Sequence, residues 1–405
     1  MRLKDFSVLN PLYKGESLDC EVSFVPMKSL RNGAIDYQDI PFAEGKGKYT
    51  YFQDGDLLVA KVTPCFENGN IAIANNMKQG VGFGSSEIFV LRMNDKVLNT
   101  YMFYITQTAK FQEGACATMC GVGGLKRISP LFMRTYELDI PSLSKQQRIV
   151  DYLGVKLGKI DAWIAVLEKQ QNVYARLKKS VIHQTVTRGL NPNVPLKDSG
   201  VEWIGMIPEH WEVKRIKELC SFVSRGATPN YVDEGEYKVM NQAVFSTGNL
   251  NHKVVRYSSY MKSESQIKKG DLLIASTGGG VLGKLYFFDD EDLNFYADTH
   301  VTIVRSEKGL FCVKFLFYLL SYQFDMVNAC MAKGSTNQTE LQRDCLLSYE
   351  LAIPSLVEQQ TIIAYLDEKC AKIDTATENI GKQIDALKRL KRALINEVIT
   401  GRRAV

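Results

Sequence analysis

The sequence lacks the clustered cysteine and histidine residues that a metal site or a disulfide framework requires. Nine cysteines and four histidines are spread over 405 residues, without a Cys-x-x-Cys pair. Cys116 and Cys120 are the closest two cysteines, and no histidine or further cysteine lies near them in the sequence. The pattern therefore argues against both a zinc site and a set of disulfide bonds.

Long apolar runs are also missing. The most apolar stretch, from Leu310 to Leu320, is short and interrupted by Lys314, whereas a membrane-spanning helix needs about 20 predominantly apolar residues. The opening residues Met1-Arg2-Leu3-Lys4-Asp5 do not have the pattern of a signal peptide. We therefore expect a cytoplasmic protein that does not cross a membrane.

Complete catalytic motifs are absent as well. Gly278 to Lys284 has the spacing of a phosphate-binding loop, but Leu285 stands where Ser or Thr would hold magnesium, and the following residues favour a strand. A glycine-rich hairpin is the better interpretation. Asn10-Pro11-Leu12-Tyr13 is similar to the Asn-Pro-Pro-Tyr loop of amino-methyltransferases, but no glycine-rich cofactor loop accompanies it. The histidines are scattered, so the sequence shows no catalytic constellation.

The charge of the chain is modest overall but uneven. The net charge is +5 at pH 7, which by itself does not indicate a nucleic-acid partner. The stretch from Leu143 to Leu190 carries nine Lys or Arg against three Asp or Glu. Such a run is typical of a solvated helix face, and contact with phosphates is the alternative.

What the chain does contain is an internal repeat. Leu-Asp-Ile-Pro-Ser-Leu from Leu138 returns 213 positions later as Leu-Ala-Ile-Pro-Ser-Leu from Leu351. Gln146-Gln147 and Gln359-Gln360 correspond at the same displacement. Gly-Asp-Leu-Leu occurs twice, from Gly55 and from Gly270. The sequence therefore predicts one unit present twice: globular domain, long helix, connector, globular domain, long helix.

The two long segments after Pro141 and Pro354 have the pattern of coiled-coil helices. Apolar residues recur every seven positions over five heptads, and further apolar residues, Leu157, Ile164, Leu177, Ile384 and Leu390, are expected on the same side. An amphipathic helix on a globular core is the alternative, but about 40 residues is long for one. The heptad residues are Leu153, Ile160, Leu167, Tyr174 and Val181 in the first helix, and Leu366, Ile373, Ile380, Leu387 and Leu394 in the second.

Each globular domain has the pattern of a mixed α and β structure. In the first we expect strands over residues 50–62, 70–74 and 87–93 and a helix over 98–110. In the second we expect strands over 270–276, 284–288 and 300–305 and a helix over 313–324. The segment between the first helix and the second domain is rich in Asn, Pro and Gly. It predicts an irregular link packed by Trp203 and Trp211.

Taken together, these features resemble the specificity subunit of type I restriction-modification systems, over the whole chain. The most specific motifs are Ile-Pro-Ser-Leu with Gln-Gln in both long segments and the connector from Gly200 to Arg215. Gly334-Ser-Thr-Asn-Gln-Thr also fits, whereas Gly121-Val-Gly-Gly-Leu125 departs from that pattern. The resemblance implies an α+β fold in which two similar mixed α/β target-recognition domains are separated by two long antiparallel helices. These helices form a coiled coil, with a pseudo-two-fold internal repeat.

The resemblance also implies domain boundaries. Residues 1–140 and 214–353 correspond to the first and second target-recognition domains. Residues 141–189 and 354–405 correspond to the central and C-terminal helices, and residues 190–213 form the connector. The helix pair is expected to act as a ruler between two half-sites.

The implied function is that of a non-catalytic DNA reader, not an enzyme. It would read a bipartite, asymmetric double-stranded DNA site and direct adenine methylation or restriction by partner subunits. Methyltransferase subunits would bring S-adenosylmethionine, and motor-nuclease subunits would bring ATP and magnesium. This chain itself would hold no cofactor and no metal.

Base readout requires polar side chains on loops that reach a groove. We expect DNA contacts from nine residues: Lys61, Thr63, Asn68, Arg225, Ser276, Thr277, Lys284, Lys333 and Asn337.

Two other classes of function remain open at this point. A self-contained methyltransferase or nuclease would need a cofactor loop and a catalytic motif, neither of which is visible. A coiled-coil scaffold without a role on DNA would explain the long helices but not the two divergent globular domains.

Overall fold

The computed structural model describes residues 1–121, 124–278, 280–306, 311–322, 332–333 and 339–405. They form two compact units. Unit 1 comprises Met1–Lys169 together with Ile380–Val405, and unit 2 comprises Gln170–Asn379. Each unit combines two four-stranded β-sheets with smaller strand pairs, short helices and segments of both long helices, in agreement with the expected α+β class.

Unit 1 contains two four-stranded sheets and a small hairpin. Its strands are β1 Ser7–Leu9, β2 Glu21–Val25, β3 Leu30–Arg31, β4 Ala34–Ile35, β5 Gln38–Pro41, β6 Thr50–Gln53, β7 Leu57–Ala60, β8 Ile71–Ile73, β9 Val81–Gly84 and β10 Ile88–Met93. The main sheet of unit 1 has the order β1-β10-β7-β8 and is antiparallel throughout. The second sheet has the order β5-β2-β9-β6, in which β2 and β9 run parallel.

The short helices of unit 1 lie against both four-stranded sheets: the first helix contacts the second sheet, and the second helix contacts the main sheet. The helices of this unit are α1 Phe42–Gly45, α2 Asn99–Thr106, α3 Ala109–Ala117, α4 Pro130–Thr135 and the first part of α5 Leu143–Arg188. The expected helix over 98–110 is therefore two helices. Thr108 separates them because its backbone is extended and its hydroxyl accepts a hydrogen bond from the Phe111 N–H of the next helix.

The expected strand over 50–62 is also interrupted. Gly55 adopts a φ of +90° between β6 and β7, a conformation that favours glycine. The turn passes the chain from the second sheet to the main sheet, so β6 and β7 belong to different sheets. The strand expected over 87–93 is confirmed as β10.

Unit 2 repeats this architecture. Its strands are β11 Leu196–Asp198, β12 Met206–Pro208, β13 Glu212–Arg215, β14 Phe222–Arg225, β15 Tyr231–Val232, β16 Tyr237–Met240, β17 Arg256–Ser258, β18 Leu272–Ala275, β19 Leu285–Phe287, β20 Phe295–Ala297, β21 Val301–Arg305, β22 Ala332–Lys333, β23 Glu340–Leu341 and β24 Glu350–Ile353. Its helices are α6 Ile216–Leu219, α7 Val313–Tyr322, α8 Arg343–Ser348 and part of α9 Leu356–Ile399. The main sheet of unit 2, β14-β21-β18-β19, has the same antiparallel order as its counterpart in unit 1.

The connector differs from the irregular link that its composition predicted. Strands β11 and β12 pair as an antiparallel hairpin, with Lys197 opposite Ile207. Trp211 is fully buried, and its indole N–H donates to the Glu358 carboxylate at 3.2 Å. Trp203, by contrast, is 52% exposed. Of the two tryptophans, Trp211 therefore anchors the connector.

The long helices start where the repeat predicts, immediately after Pro141-Ser142 and Pro354-Ser355. The heptad residues are buried or half-buried. Within unit 2 the helices run antiparallel, because Gln171 bonds to the Thr377 carbonyl and Lys178 pairs with Asp374. In unit 1, Lys391 pairs with Asp161 in the same way at the corresponding repeat positions.

Two of the apolar residues expected on the coiled-coil side face solvent instead. Leu177 is 45% exposed and Leu390 is 52% exposed. Each precedes a lysine, Lys178 or Lys391, that bonds to the opposite helix. Neighbouring residues of an α-helix point about 100° apart because a turn holds about 3.6 residues. An inward-pointing lysine therefore turns the preceding leucine outward.

Candidate nucleic-acid interface

One edge of the main sheet of unit 2 collects residues that are far apart in the sequence. Strands β14 and β18 end at this edge, and β19 and β21 begin there. Arg225 closes β14, Thr277 follows β18, Lys284 precedes β19 and His300 precedes β21. Strand pairing therefore brings together several residues that the sequence nominated separately.

Ser276 does not fit the expected role in DNA contact. Its side chain is fully buried. Its hydroxyl lies 3.0 Å from the Ile274 carbonyl oxygen and 2.5 Å from the Thr302 hydroxyl. A side chain so enclosed cannot reach a base edge, and the serine instead ties the end of β18 to β21. Thr277, the next residue, is half-exposed.

Arg225 is held by an acidic partner. Its guanidinium donates to the Glu340 carboxylate at 3.2 Å and to the Leu341 carbonyl at 3.1 Å. Glu340 in turn forms a backbone bridge to Thr277. Strand β22 places the backbone of Lys333 opposite Glu340, and Asn337 lies outside the described residues. The Lys284 ammonium donates to the Ser246 carbonyl, so its position is also fixed locally.

Gln242 and His300 also lie at this edge, although the sequence did not nominate them. The Thr277 hydroxyl lies 2.7 Å from His300 Nδ1 and 3.4 Å from Gln242 Oε1. His300 is exposed and Gln242 is half-exposed. For His300, the internal repeat was a signal that the sequence offered. His300 lies 213 positions after Glu87, and both residues immediately precede corresponding strands.

The corresponding edge of unit 1 carries different side chains. The Lys61 ammonium donates to the Ser86 carbonyl at 2.6 Å and lies 4.6 Å from the centre of the Phe89 ring. Burial lowers the pKa of Lys61. The Thr63 hydroxyl donates to the Gly124 carbonyl at 2.9 Å. Both predicted residues are therefore at the edge and locally oriented.

Arg127 and Glu87 form the ion pair of this edge. The guanidinium binds both carboxylate oxygens of Glu87, at distances from 2.8 to 3.2 Å. These hydrogen bonds are the main reason that the pKa of Glu87 is lowered. With Arg127 half-exposed, the pair lies at the surface, where solvent screens its attraction.

The two edges share a framework and differ in chemistry. Arg127 bridges Val62 in unit 1, as Glu340 bridges Thr277 in unit 2. Unit 2 therefore has the acidic Glu340 at the position where unit 1 has the basic Arg127. In the same way, His300 of unit 2 corresponds to Glu87 of unit 1. One scaffold thus presents two different sets of hydrogen-bonding groups.

Asn68 lies in the turn between β7 and β8 and lines a cavity of about 420 Å³ in unit 1. Amide side chains are frequent among its lining residues, which include Asn32, Gln107, Gln112 and Asn396, together with Arg392. Asn68 is exposed, so this nominated residue is accessible.

The remaining motifs have structural explanations. Strand β19, which follows the glycine-rich turn from Gly278, pairs antiparallel with β18. This confirms a hairpin and not the strand-to-helix turn of a phosphate-binding loop. In the part of the chain that the structure describes, no group of three His, Cys, Asp or Glu side chains could hold a metal ion. None of the described helices is long and apolar enough to span a membrane.

The chain is similar in sequence to known proteins. Residues 16–172 and 208–386 match the family model described as Type I restriction modification DNA specificity domain. The specificity subunit of the type I restriction enzyme EcoEI from Escherichia coli is 34% identical over 152 residues, covering 36% of this chain and 26% of the relative. The EcoAI subunit from Escherichia coli is 31% identical over 208 residues, covering 50% of this chain and 34% of the relative.

A longer match and a solved structure extend the comparison. The MjaVIII specificity subunit from Methanocaldococcus jannaschii is 25% identical over 332 residues, covering 79% of this chain and 74% of the relative. A solved chain, described under "Structural basis underlying complex assembly and conformational transition of the type I R-M system", superposes with a TM-score of 0.75 at 17% identity. The superposition covers 98% of this chain and 96% of the solved chain. At this identity, the likeness shows that the two chains share a fold.

Proposed function

Because this chain belongs to the type I restriction modification DNA specificity family, we propose that it is a non-catalytic subunit that reads a bipartite, asymmetric DNA site. The observation that carries the proposal is the pair of matching sheet edges with exchanged side chains. Direct readout depends on which donors and acceptors reach the base edges. Two edges with the same framework and different groups therefore suit two half-sites of different sequence.

The proposed division of the chain follows its repeat. Residues 1–140 and 214–353 would each read one half-site, and residues 141–189 and 354–405 would form the helical pair between them. Residues 190–213 would connect the first helix to the second domain. The family match extends over both halves of the chain, which supports two reading domains.

The chemistry would come from partners. We propose methyltransferase subunits that use S-adenosylmethionine to methylate adenine, and restriction subunits that use ATP and magnesium. The assembly would act on double-stranded DNA in the cytoplasm. The family match supports this assignment over a self-contained enzyme or a scaffold without a role on DNA.

The proposal is tested with the full chain assembled with its methyltransferase subunits. Selection from a pool of randomised duplex DNA should yield two defined half-sites separated by a spacer of fixed length. The chain alone should not transfer labelled methyl groups from S-adenosylmethionine to DNA. Selection without any sequence preference would contradict the proposed reader, and methyl transfer by the chain alone would favour the enzyme alternative.

Exchange of one domain gives a sharper prediction. Replacing residues 1–137 with the first domain of another family member should change one half-site and leave the other unaltered, because each edge lies within its own unit. The reciprocal exchange of residues 214–350 is the matched control and should change the other half-site. Selected sequences report the result, and a change in both halves from either exchange would contradict modular readout.

A further inference from the structure

Three segments of unit 2 place Gln242, Thr277 and His300 side by side. Gln242 lies two residues after β16, Thr277 two residues after β18 and His300 immediately before β21. The Thr277 hydroxyl contacts both neighbours, His300 Nδ1 at 2.7 Å and Gln242 Oε1 at 3.4 Å. A single hydroxyl therefore orients an imidazole and a carboxamide at the same edge.

The outward atoms of both side chains remain available. Among the described residues, neither Gln242 Nε2 nor His300 Nε2 has a hydrogen-bond partner. A carboxamide oxygen has two lone pairs, so Gln242 Oε1 can accept a second hydrogen bond while it contacts Thr277. The cluster thus offers one amide donor, one amide acceptor and one imidazole nitrogen to a ligand.

The surrounding backbone restricts the positions of these groups. The His300 N–H donates to Asp298 Oδ1 at 2.9 Å, and the Asp298 N–H donates to the Met240 carbonyl, so His300 is tied to the end of β16. Gly278 adopts a φ of +89°, and a Cβ there would lie 3.3 Å from Gln242 Nε2. Glycine at this position leaves room for the amide.

We propose that Gln242 reads an adenine in the major groove of one half-site, that His300 reads a neighbouring base, and that Thr277 is a positioning residue for both. This inference rests on the proposed function. Gln pairs with adenine through two hydrogen bonds, one from the adenine N6 amine and one to N7. Unit 1 has Glu87 at the position that corresponds to His300. The two edges therefore differ at a residue proposed to read a base, as two half-sites of different sequence require.

The test is selection from randomised duplex DNA by the chain with its methyltransferase subunits, carried out for the wild type and each variant. Gln242→Ala should lower the preference for adenine at one position by roughly 5- to 150-fold, the discrimination that a good two-bond contact provides. His300→Ala should relax a neighbouring position. Gln360→Ala, an exposed glutamine on α9, is the matched control and should select the wild-type sequence.

Two further variants separate readout from loss of structure. Gln242→Glu replaces the amide donor by an acceptor and should shift the preference from adenine toward cytosine, whose N4 amine pairs with a carboxylate. Thr277→Val keeps the shape without the hydroxyl and should weaken preference at both positions, whereas Thr277→Ser should restore it.

The outcomes distinguish this inference from the proposed function. A wild-type assembly that selects no sequence would overturn both. The wild-type assembly could instead select two half-sites, and the Gln242→Ala and His300→Ala variants could select the same two. That result would overturn the reading roles proposed for Gln242 and His300 and leave the proposed function standing. A change in the base preference of the half-site that unit 1 reads would also contradict the roles proposed for Gln242 and His300.

Discussion

At the scale of single residues, the twice-used Gly-Asp-Leu-Leu motif is explained by its aspartates. Asp56 and Asp271 are almost fully buried, and each receives two hydrogen bonds from one arginine, Arg92 or Arg305. Asp271 also accepts the Lys268 N–H at 2.7 Å. The motif therefore supplies the buried acid of an ion pair that joins the start of one strand to its neighbour in each main sheet.

Removing one member of such a pair should be costly. Asp271→Asn keeps the shape but leaves Arg305 without its counter-charge, which should destabilise unit 2 by about 3 kcal/mol. Urea unfolding of the full chain measures the change. Asp289→Asn, on the exposed side of the same unit, is the control and should change stability by less than about 0.5 kcal/mol. Equal unfolding curves for the two variants would contradict the assigned role.

Cysteine reactivity offers a second test at this scale. Burial raises the pKa of Cys220 to about 12, whereas Cys120 is exposed. Since the thiolate is the nucleophile, Cys220 should stay protonated and unlabelled by iodoacetamide at a pH of about 8.5, while Cys120 reacts. Peptide mass spectrometry reads the labelled sites. Both cysteines should react in urea, and equal labelling of Cys220 and Cys120 in the native chain would show that Cys220 is accessible.

At the scale of elements, a buried glutamine fixes the start of each long helix. Gln146 accepts the Leu98 N–H and donates to the Lys96 and Pro141 carbonyls. Gln359 accepts the Cys312 N–H and donates to the Pro354 carbonyl. The first glutamine of the repeated Gln-Gln pair thus joins the first turn of the long helix to the segment that begins α2 or α7.

Adjacent glutamines permit a matched comparison. Gln359→Ala should lower the free energy of unfolding by about 1–3 kcal/mol, because a buried N–H and a carbonyl lose their partners. Gln360→Ala, one residue later and exposed, should change it by less than about 0.5 kcal/mol. Urea unfolding compares the two, and an equal loss from both substitutions would show that the buried hydrogen bonds do not stabilise the helix start.

At the scale of the whole molecule, the long helices carry the chain from one unit into the other. Helix α5 continues through Lys169 and Gln170, and α9 continues through Asn379 and Ile380, where the units divide. We expect helix length to set the spacer between the half-sites. Four added residues lengthen a helix by about 6 Å with little rotation, which corresponds to roughly one or two base pairs at about 3.4 Å each.

The insertions belong in both helices, after Leu167 and after Ile380, so that the heptad pattern continues on each side. The assembly with methyltransferase subunits should then select the same half-sites with a longer spacer, since no sheet edge has changed. The methylation pattern on plasmid DNA provides the measurement. An active variant that retains the original spacer would show that the helices do not act as a ruler.

The amino-acid sequence was sufficient to predict the repeated organisation of the chain, the start of both long helices and most of their buried stripe. These features are local or periodic: a proline before a helix, an apolar residue every seven positions and a motif used twice all leave a pattern along the chain. The inward positions of Lys178 and Lys391 were not predicted, because their contacts are with the opposite helix. These contacts turn Leu177 and Leu390 toward solvent.

Tertiary structure alone decided which polar residues occupy the candidate interface. Gln242, Thr277 and His300 meet because β16, β18 and β21 end or begin near one another, and no spacing in the sequence encodes that meeting. Ser276 and Thr277 are neighbours of similar chemistry, yet the first is fully buried and the second is half-exposed. Successive side chains at the end of a strand point to opposite sides, so one position along the chain separates a structural hydroxyl from an accessible one.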